Sequence, residues 1–174
     1  MLIETLSTPF RKVLATNATD TSFASKIPTG TEPTNDGVID LATGGSTSQN
    51  ALLLVPYGTG GDNDTFAMRV IAWDFIDGST VTSRLWVPIV LTELTCTMSA
   101  TVGVANKALV ATERFVDTLV LVTGNDDISI DIVSPTADEV AHAVLDVKGF
   151  RKVEFSFDMT AAGSTGANCL IKQL

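Results

Sequence analysis

An internal repeat constrains the fold of this chain more than any other feature of its sequence. Residues 38–54 and 156–172 follow one pattern, in which an apolar alternating run enters a Gly-Ser-Thr cluster and a second apolar run leaves it. The aligned copies share six positions: Asp40 and Asp158, Gly45 and Gly163, Ser46 and Ser164, Thr47 and Thr165, Asn50 and Asn168, and Leu52 and Leu170. The order of strand, turn and strand predicts two β-hairpins. One copy lies early and the other late, so we expect a sandwich whose first and last strands meet.

The composition supports an all-β fold. The chain has 24 Thr and 12 Ser, while its charged fraction of 18% is below the usual value of about 25%. Thr is β-branched and suits a half-exposed strand position. Turn signals recur every 8–12 residues or so from Val38 onward, a spacing typical of a sandwich. We therefore predict a jelly-roll-like β-sandwich over residues 37–174, one domain in size, preceded by an extended N-terminal arm over residues 1–36.

The net charge excludes several classes of partner. A formal charge of −9 opposes nucleic-acid binding, which requires clustered Lys and Arg, and it also opposes attraction to an anionic membrane. Arg11-Lys12 and Arg151-Lys152 are the only adjacent basic pairs. The first residues lack the basic start and long apolar centre of a signal peptide, which indicates folding in a cytoplasm.

The middle of the chain is apolar on both faces of its predicted strands. Phe66, Met68, Val70 and Ala72 share one face, and Ile71, Trp73 and Phe75 share the other with Arg69. A two-layer sandwich buries one face of each sheet, so the second face needs cover from the arm, a long loop or another subunit. The residues that we expect at a contact between subunits are Phe10, Phe23, Trp73 and Phe75. Pro88 in the next strand indicates an edge or a bulge.

Other segments carry simpler or more ambiguous patterns. Val153, Phe155 and Phe157 alternate with polar residues, which predicts a strand with one wet face. Residues 134–149 combine helix-capping signals with strand alternation, and we favour a strand. Residues 105–115 could hold a helical turn.

No catalytic pattern emerges, and we predict neither an enzyme nor a cofactor. His142 is the only histidine, and no nucleophile elbow, phosphate-binding loop or zinc pattern is present. Asp62 and Asp64 are weak candidates for a Ca²⁺ site, because their Gly-rich loop offers oxygen ligands, but turn chemistry explains them better. Cys96 and Cys169 lie in apolar runs and are expected as buried thiols.

Several motifs together resemble a poorly characterised group of tailed-bacteriophage virion proteins. The resemblance runs from about Phe10 to the end of the chain and rests on these segments: Val55-Pro-Tyr-Gly-Thr-Gly60, Thr65-Phe-Ala-Met-Arg-Val-Ile-Ala-Trp73, Leu85-Trp-Val-Pro88, Leu94-Thr-Cys-Thr-Met-Ser99, Phe115-Val-Asp-Thr118, Val147-Lys-Gly-Phe150 and Gly163-Ser-Thr-Gly-Ala-Asn168. It implies a head-associated structural role, such as capsid decoration, and no catalytic residues.

The resemblance and the residue patterns lead to one expected function and one alternative. We expect a homo-oligomer, with a trimer favoured, that is assembled in the host cytoplasm and binds the major capsid protein on the outer head surface. The alternative is a glycan- or receptor-binding module of a virion fibre, which predicts exposed aromatic residues in a groove.

Overall fold

Ten β-strands make up the regular structure in the described part of the chain. The computed structural model describes residues 11–14, 26–34, 37–41, 51–59, 61–76, 84–99, 106, 108–114, 130–133, 141–147, 149–159 and 166–173. The strands are β1 (Arg11–Leu14), β2 (Val38–Asp40), β3 (Ala51–Thr59), β4 (Thr65–Ile76), β5 (Leu85–Thr97), β6 (Ala108–Arg114), β7 (Ile130–Val133), β8 (His142–Asp146), β9 (Lys152–Asp158) and β10 (Gly166–Gln173). No helix of these residues is long and apolar enough to cross a membrane.

The strands form two antiparallel sheets of five strands each. Sheet A has the order β1-β10-β3-β8-β7, and sheet B has the order β2-β9-β4-β5-β6. One cluster of buried apolar side chains draws on both sheets, from Leu52 and Ile171 in sheet A to Phe66 and Phe157 in sheet B. The two sheets therefore pack face to face on a shared core, and the prediction of an all-β fold is confirmed.

The internal repeat does not form the two hairpins that its pattern predicts. The strands of each copy lie in different sheets, because β2 and β9 belong to sheet B while β3 and β10 belong to sheet A. The hairpin prediction is thus wrong, since each copy is a strand-to-strand connection that crosses between the sheets. The copies do meet, with β2 paired to β9 and β3 paired to β10. The Gly-Ser-Thr turns lie outside the described residues.

The two sheets differ in how their strands are buried. In β10 the buried residues alternate with half-buried ones, the pattern of a strand with one covered face. In β9 six consecutive residues from Lys152 to Phe157 are buried. The prediction of one wet face for this strand is wrong, because the outer face of sheet B is covered as well.

A β-bulge lets β5 place apolar residues on both faces of sheet B. Its register against β4 shifts at Val70 and Ile71, leaving Leu91 as the extra residue. Trp86 therefore faces outward while the even-numbered Leu94 and Cys96 face the core. Pro88 lies three residues before the bulge, on the part of β5 that β6 does not pair with. The prediction of an edge or bulge at Pro88 is confirmed.

Two other segment predictions have opposite outcomes. His142–Asp146 is a strand, which confirms the favoured interpretation for that part of residues 134–149; residues 134–140 lie outside the described range. Ala108–Arg114 is also a strand, so the helical turn considered there is wrong. Hydrogen bonding of this segment to β5 outweighs its weak local helix signal.

One buried polar side chain bridges three backbone groups in the core. The side chain of Asn106, with no exposed surface, bonds both backbone groups of Ala141 and donates to the carbonyl of Pro56. It thereby replaces strand pairing at a point of β3 beyond the residues paired with β8. Cys96 and Cys169 are free buried thiols, as predicted. Burial raises the pKa of Cys96 to about 12 and raises that of Cys169 too.

Candidate functional site

The outer face of sheet B carries a second apolar cluster, separate from the main core. Ile71, Trp73 and Trp86 are buried there, and Phe75 and Val90 pack against them. Ile71 and Trp73 alternate along β4 with the core residues Val70 and Ala72, so β4 is apolar on both faces. The expectation that both faces of this region need cover is confirmed.

The N-terminal strap, residues 26–34, is attached to this part of sheet B. Thr29 forms an antiparallel bridge with Trp86, in which each residue donates its backbone N–H to the carbonyl of the other at 2.9 and 2.7 Å. Side chains at two other strap positions reach β9: Lys26 pairs with Glu154 at 2.7 Å, and Glu32 pairs with Lys152 at 2.8 Å. The strap is thus held to sheet B by two backbone hydrogen bonds and two ion pairs.

Glu154 is the polar centre of this face. Its side chain is 4% exposed and accepts a hydrogen bond of 2.8 Å from the indole Nε1 of Trp73. The ammonium group of Lys26 satisfies the other carboxylate oxygen. A buried carboxylate without such partners would be strongly destabilising. Lys26 of the strap therefore supplies the positive charge that stabilises the buried carboxylate of Glu154.

Lys152 is a second buried charge, two residues before Glu154. Its ammonium group lies 2.7 Å from Asp40 of β2 and 2.8 Å from Glu32 of the strap. Burial acts to lower the pKa of Lys152, but the hydrogen bonds and charges of Asp40 and Glu32 outweigh it and raise the pKa above the ordinary 10.5. The group stays charged at neutral pH and links three chain segments.

Two guanidinium groups stack on one aromatic ring beside this lysine. The guanidinium carbons of Arg84 and Arg151 lie 4.0 and 4.2 Å from the ring centroid of Phe75. The same ring meets Trp86 edge to face, with centroids 5.1 Å apart. Cations at this distance from an aromatic ring are attracted by its quadrupole. Both guanidinium groups therefore lie against the Phe75 ring.

These side chains enclose the cation pocket, a depression of about 220 Å³ at one end of the outer face. Its lining comes from the strap, β2, the ends of β4 and β5, and the start of β9, through Glu32, Asp40, Phe75, Arg84, Trp86, Arg151 and Lys152. Three of the eleven basic residues of an acidic chain therefore converge on one small pocket.

The opposite face of the same strand ends carries exposed aliphatic side chains. Ile76 and Leu85 are direct cross-strand partners, and Ile89 pairs with Ala72 on the same face. Ile76 is 62% exposed, Leu85 40% and Ile89 39%. Ala72 is fully buried, so this face loses its cover towards the ends of β4 and β5. We call Ile76, Leu85 and Ile89 the hairpin-end patch.

The residues expected at a subunit contact have different locations. Trp73 is 4% exposed in the outer apolar cluster, and Phe75 is half-buried in the cation pocket. Phe10 and Phe23 lie outside the described residues.

Asp62 and Asp64 serve the turn between β3 and β4. Asp64 accepts a hydrogen bond from the backbone N–H of Gly61, and Asp62 accepts one of 3.0 Å from Asn63. Asn63 has a φ of 71°, the left-handed conformation that Asn tolerates in tight turns. Among the described residues, no group of three or more His, Cys, Asp or Glu side chains could hold a metal ion.

The amino-acid sequence alone does not reveal the cation pocket. The adjacent pair Arg151-Lys152 was a visible signal, and Arg84 stands two residues before Trp86. Neither observation reveals that the ends of four strands and the strap meet at one place. That convergence depends on pairings between residues far apart in the chain.

Comparison with known proteins gives no match: no protein-family model, curated protein sequence or solved structure is significantly similar to this chain.

Proposed function

We propose that the protein is a structural component of a tailed-phage virion, which decorates the outer head surface as a homo-oligomer, with a trimer favoured. The resemblance of its motifs to virion proteins supports this role. The partner in this proposal is the major capsid protein, and no catalytic role or cofactor is assigned to the chain.

The strand order supports a jelly-roll assignment for the sandwich. In a jelly roll an eight-stranded chain is rolled up so that strand one pairs with eight, two with seven, three with six and four with five. With β6 and β7 treated as additions at the sheet edges, the pairs β1–β10, β2–β9, β3–β8 and β4–β5 follow this scheme. Viral capsid domains commonly use this architecture.

The N-terminal contacts support an arm over residues 1–36. Residues 11–14 add a strand to the edge of sheet A, and the strap crosses to sheet B. An arm that contacts both sheets ties the N-terminal segment to the sandwich, as a subunit under mechanical load requires.

The observation that carries the proposal is the hairpin-end patch. Its three aliphatic side chains share one face and are exposed by 39 to 62%. Exposed apolar side chains that share one face mark interaction sites more often than scattered apolar residues do. Copies of the chain that bury this patch together would assemble a closed oligomer.

The glycan-binding alternative has less support. Both tryptophans are 4% exposed, and two cations already stack on the Phe75 ring. Sugar recognition through aromatic stacking needs an open ring face, which these residues do not offer.

The first experiment measures the mass of the purified protein and its binding to capsids. Sedimentation equilibrium should give a mass near three times the chain mass of 18.3 kDa. The protein should also co-sediment with undecorated phage capsids and saturate them. A monomer at about 100 µM, with no capsid binding, would contradict the proposal.

A matched pair of variants tests the patch itself. Ile76→Asp places a charge in the hairpin-end patch, whereas Val110→Asp makes the same kind of change at a similar exposure, 56% against 62%, on β6. Val110 pairs with Thr95, about 30 Å along β5 from Leu85. Ile76→Asp should weaken self-association at least tenfold and Val110→Asp should leave it unchanged. If both variants weakened self-association equally, the hairpin-end patch would not be part of the interface between copies.

A further inference from the structure

We propose that docking of the strap controls self-association of the chain, because the strap braces the strand end that carries the hairpin-end patch. The inference rests on the proposed function, since it names the regulation of the contact between copies.

The paired strands β4 and β5 extend beyond their neighbours in sheet B. β9 pairs with β4 only as far as Trp73, and β6 pairs with β5 only from Thr92 onward. The last three cross-strand pairs, within residues 74–76 and 85–87, therefore have no other described strand of sheet B beside them. We call these six residues the ribbon end. An isolated two-stranded ribbon is at best marginally stable in water, so the ribbon end depends on support from outside the sheet.

Each strand of the ribbon end is supported by a different segment. On β4, Nε of Arg151 lies 3.4 Å from a carboxylate oxygen of Asp74. On β5, the support comes from the strap, through the two backbone hydrogen bonds between Thr29 and Trp86. Trp86 directly follows Leu85, so the strap restrains the backbone beside a residue of the hairpin-end patch.

The strap is held to the sheet by polar contacts rather than by apolar burial. Neither apolar cluster includes a residue of the strap, and Ile27 is 70% exposed. The ion pair between Lys26 and the buried Glu154 is the contact most sensitive to a lost charge, because removal of one partner leaves the other buried and uncompensated. The strap is therefore a brace that can separate from the sheet while the core stays intact.

Such a brace couples strap docking to the contact between copies. When the strap is docked, Leu85 is held in place before two copies meet. When the strap is released, association has to order the ribbon end, and that cost weakens binding. Coupling between two sites typically changes an affinity about 5–150-fold, and it is reciprocal. Assembly should therefore hold the strap on the sheet as strongly as the strap promotes assembly.

The first test removes a charge from the strap and leaves the patch unchanged. Lys26→Gln should weaken self-association at least about fivefold in sedimentation equilibrium. Lys172→Gln makes the same substitution on β10 of the other sheet and should leave self-association unchanged. Unchanged association in Lys26→Gln, or an equal loss in both variants, would overturn the inference.

A second strap variant guards against misfolding of the first. Glu32→Gln removes the other ion pair of the strap, while Lys152 keeps its pair with Asp40. It should also weaken self-association, with an unchanged circular dichroism spectrum. If Lys26→Gln does not fold, full-strength association in Glu32→Gln would overturn the inference by itself.

The reverse effect of assembly on the strap is measured by limited proteolysis. Trypsin cleaves after lysine, so the cut between Lys26 and Ile27, identified by fragment mass, reports release of the strap. In wild-type protein this cut should become several-fold faster on dilution below the midpoint of association. Ile76→Asp, which disrupts the patch, should be cut at the fast rate at both concentrations. A wild-type rate that does not change on dilution would show that assembly does not hold the strap.

The outcomes separate this inference from the proposed function. If the wild type is an oligomer that saturates undecorated capsids and Lys26→Gln associates equally well, the virion role stands and the regulation by the strap fails. If the wild type is a monomer that ignores capsids, the proposed function fails and the regulation fails with it, because there is no association to control.

Discussion

The two faces of β9 are buried to a similar degree but are stabilised by different forces. Val153, Phe155 and Phe157 face the main core, where they pack against apolar side chains of both sheets. Lys152 and Glu154 face outward and are 6% and 3% exposed. The inner face depends on apolar burial, which is insensitive to charge. The outer face depends on ion pairs with the strap, so its cover is conditional on pH, on salt and on a segment distant in sequence.

The difference has a consequence for stability. Burial of each apolar side chain on the inner face stabilises the folded state by about 1.5–3 kcal/mol. A buried ion pair contributes little beyond the cost of desolvating its charges, yet the loss of one partner leaves the other uncompensated. We therefore expect the inner face to set the global stability and the outer face to set whether the strap stays docked.

The largest expected effect is on the inner face. Phe157→Ala removes a ring that is 1% exposed and lies 6.3 Å, centroid to centroid, from Phe66. The free energy of unfolding should fall by about 3–5 kcal/mol, because the large side chain leaves a cavity. Urea denaturation followed by circular dichroism measures the loss. Phe75→Ala, which removes a half-buried ring from the outer face, should lower the free energy of unfolding clearly less. Equal losses in the two variants would mean that the two faces contribute equally to global stability.

The fold illustrates what alternation in a sequence can predict. Alternating apolar residues correctly indicate strands in β8 and β9, and the apolar character of both faces of β4 correctly indicates a second covered surface. The prediction of a solvent-exposed face on β9 was wrong for a physical reason. Lys and Glu are usually exposed, but here each is buried with opposite charges from other segments. Periodicity describes one strand and carries no information on such partners.

The repeat illustrates the same limit at the level of topology. Strand, turn and strand is the sequence pattern of a hairpin and also of a connection between two stacked sheets. Local residues do not distinguish them, because the choice is made by pairing between copies over 100 residues apart, as in β3 with β10. The cation pocket was hidden for this reason too, since Arg84 and Arg151 meet only after those pairings form.

An intermediate effect is expected at the centre of the outer face. Glu154→Gln keeps an acceptor for the indole of Trp73 but removes the charge that pairs with Lys26. Unfolding free energy should fall by about 1–3 kcal/mol, with a change in tryptophan fluorescence as the strap loosens. The matched control is Glu93→Gln, whose pair with Arg69 is about 20% exposed on both sides and should cost less than about 1 kcal/mol. If Glu93→Gln lowered the unfolding free energy more than Glu154→Gln, the ion pair between Lys26 and Glu154 would not be what holds the strap to the sheet.

The smallest effect is the part of the pH dependence that Lys152 contributes on the outer face. Because the folded state holds the pKa of Lys152 above its ordinary 10.5, this lysine contributes stability that is complete below about pH 10.5. As the pH rises through the higher folded-state pKa, the proton is lost, the pairs with Asp40 and Glu32 weaken, and the unfolding free energy falls. Those carboxylates are about half exposed, so solvent screens the interaction and keeps the effect modest. Denaturation between pH 9 and 12 should show a shallower decline in Lys152→Met than in the wild type. Phe157→Ala should lower the whole curve without changing its slope, and an altered slope in that variant would mean that the two faces are energetically coupled.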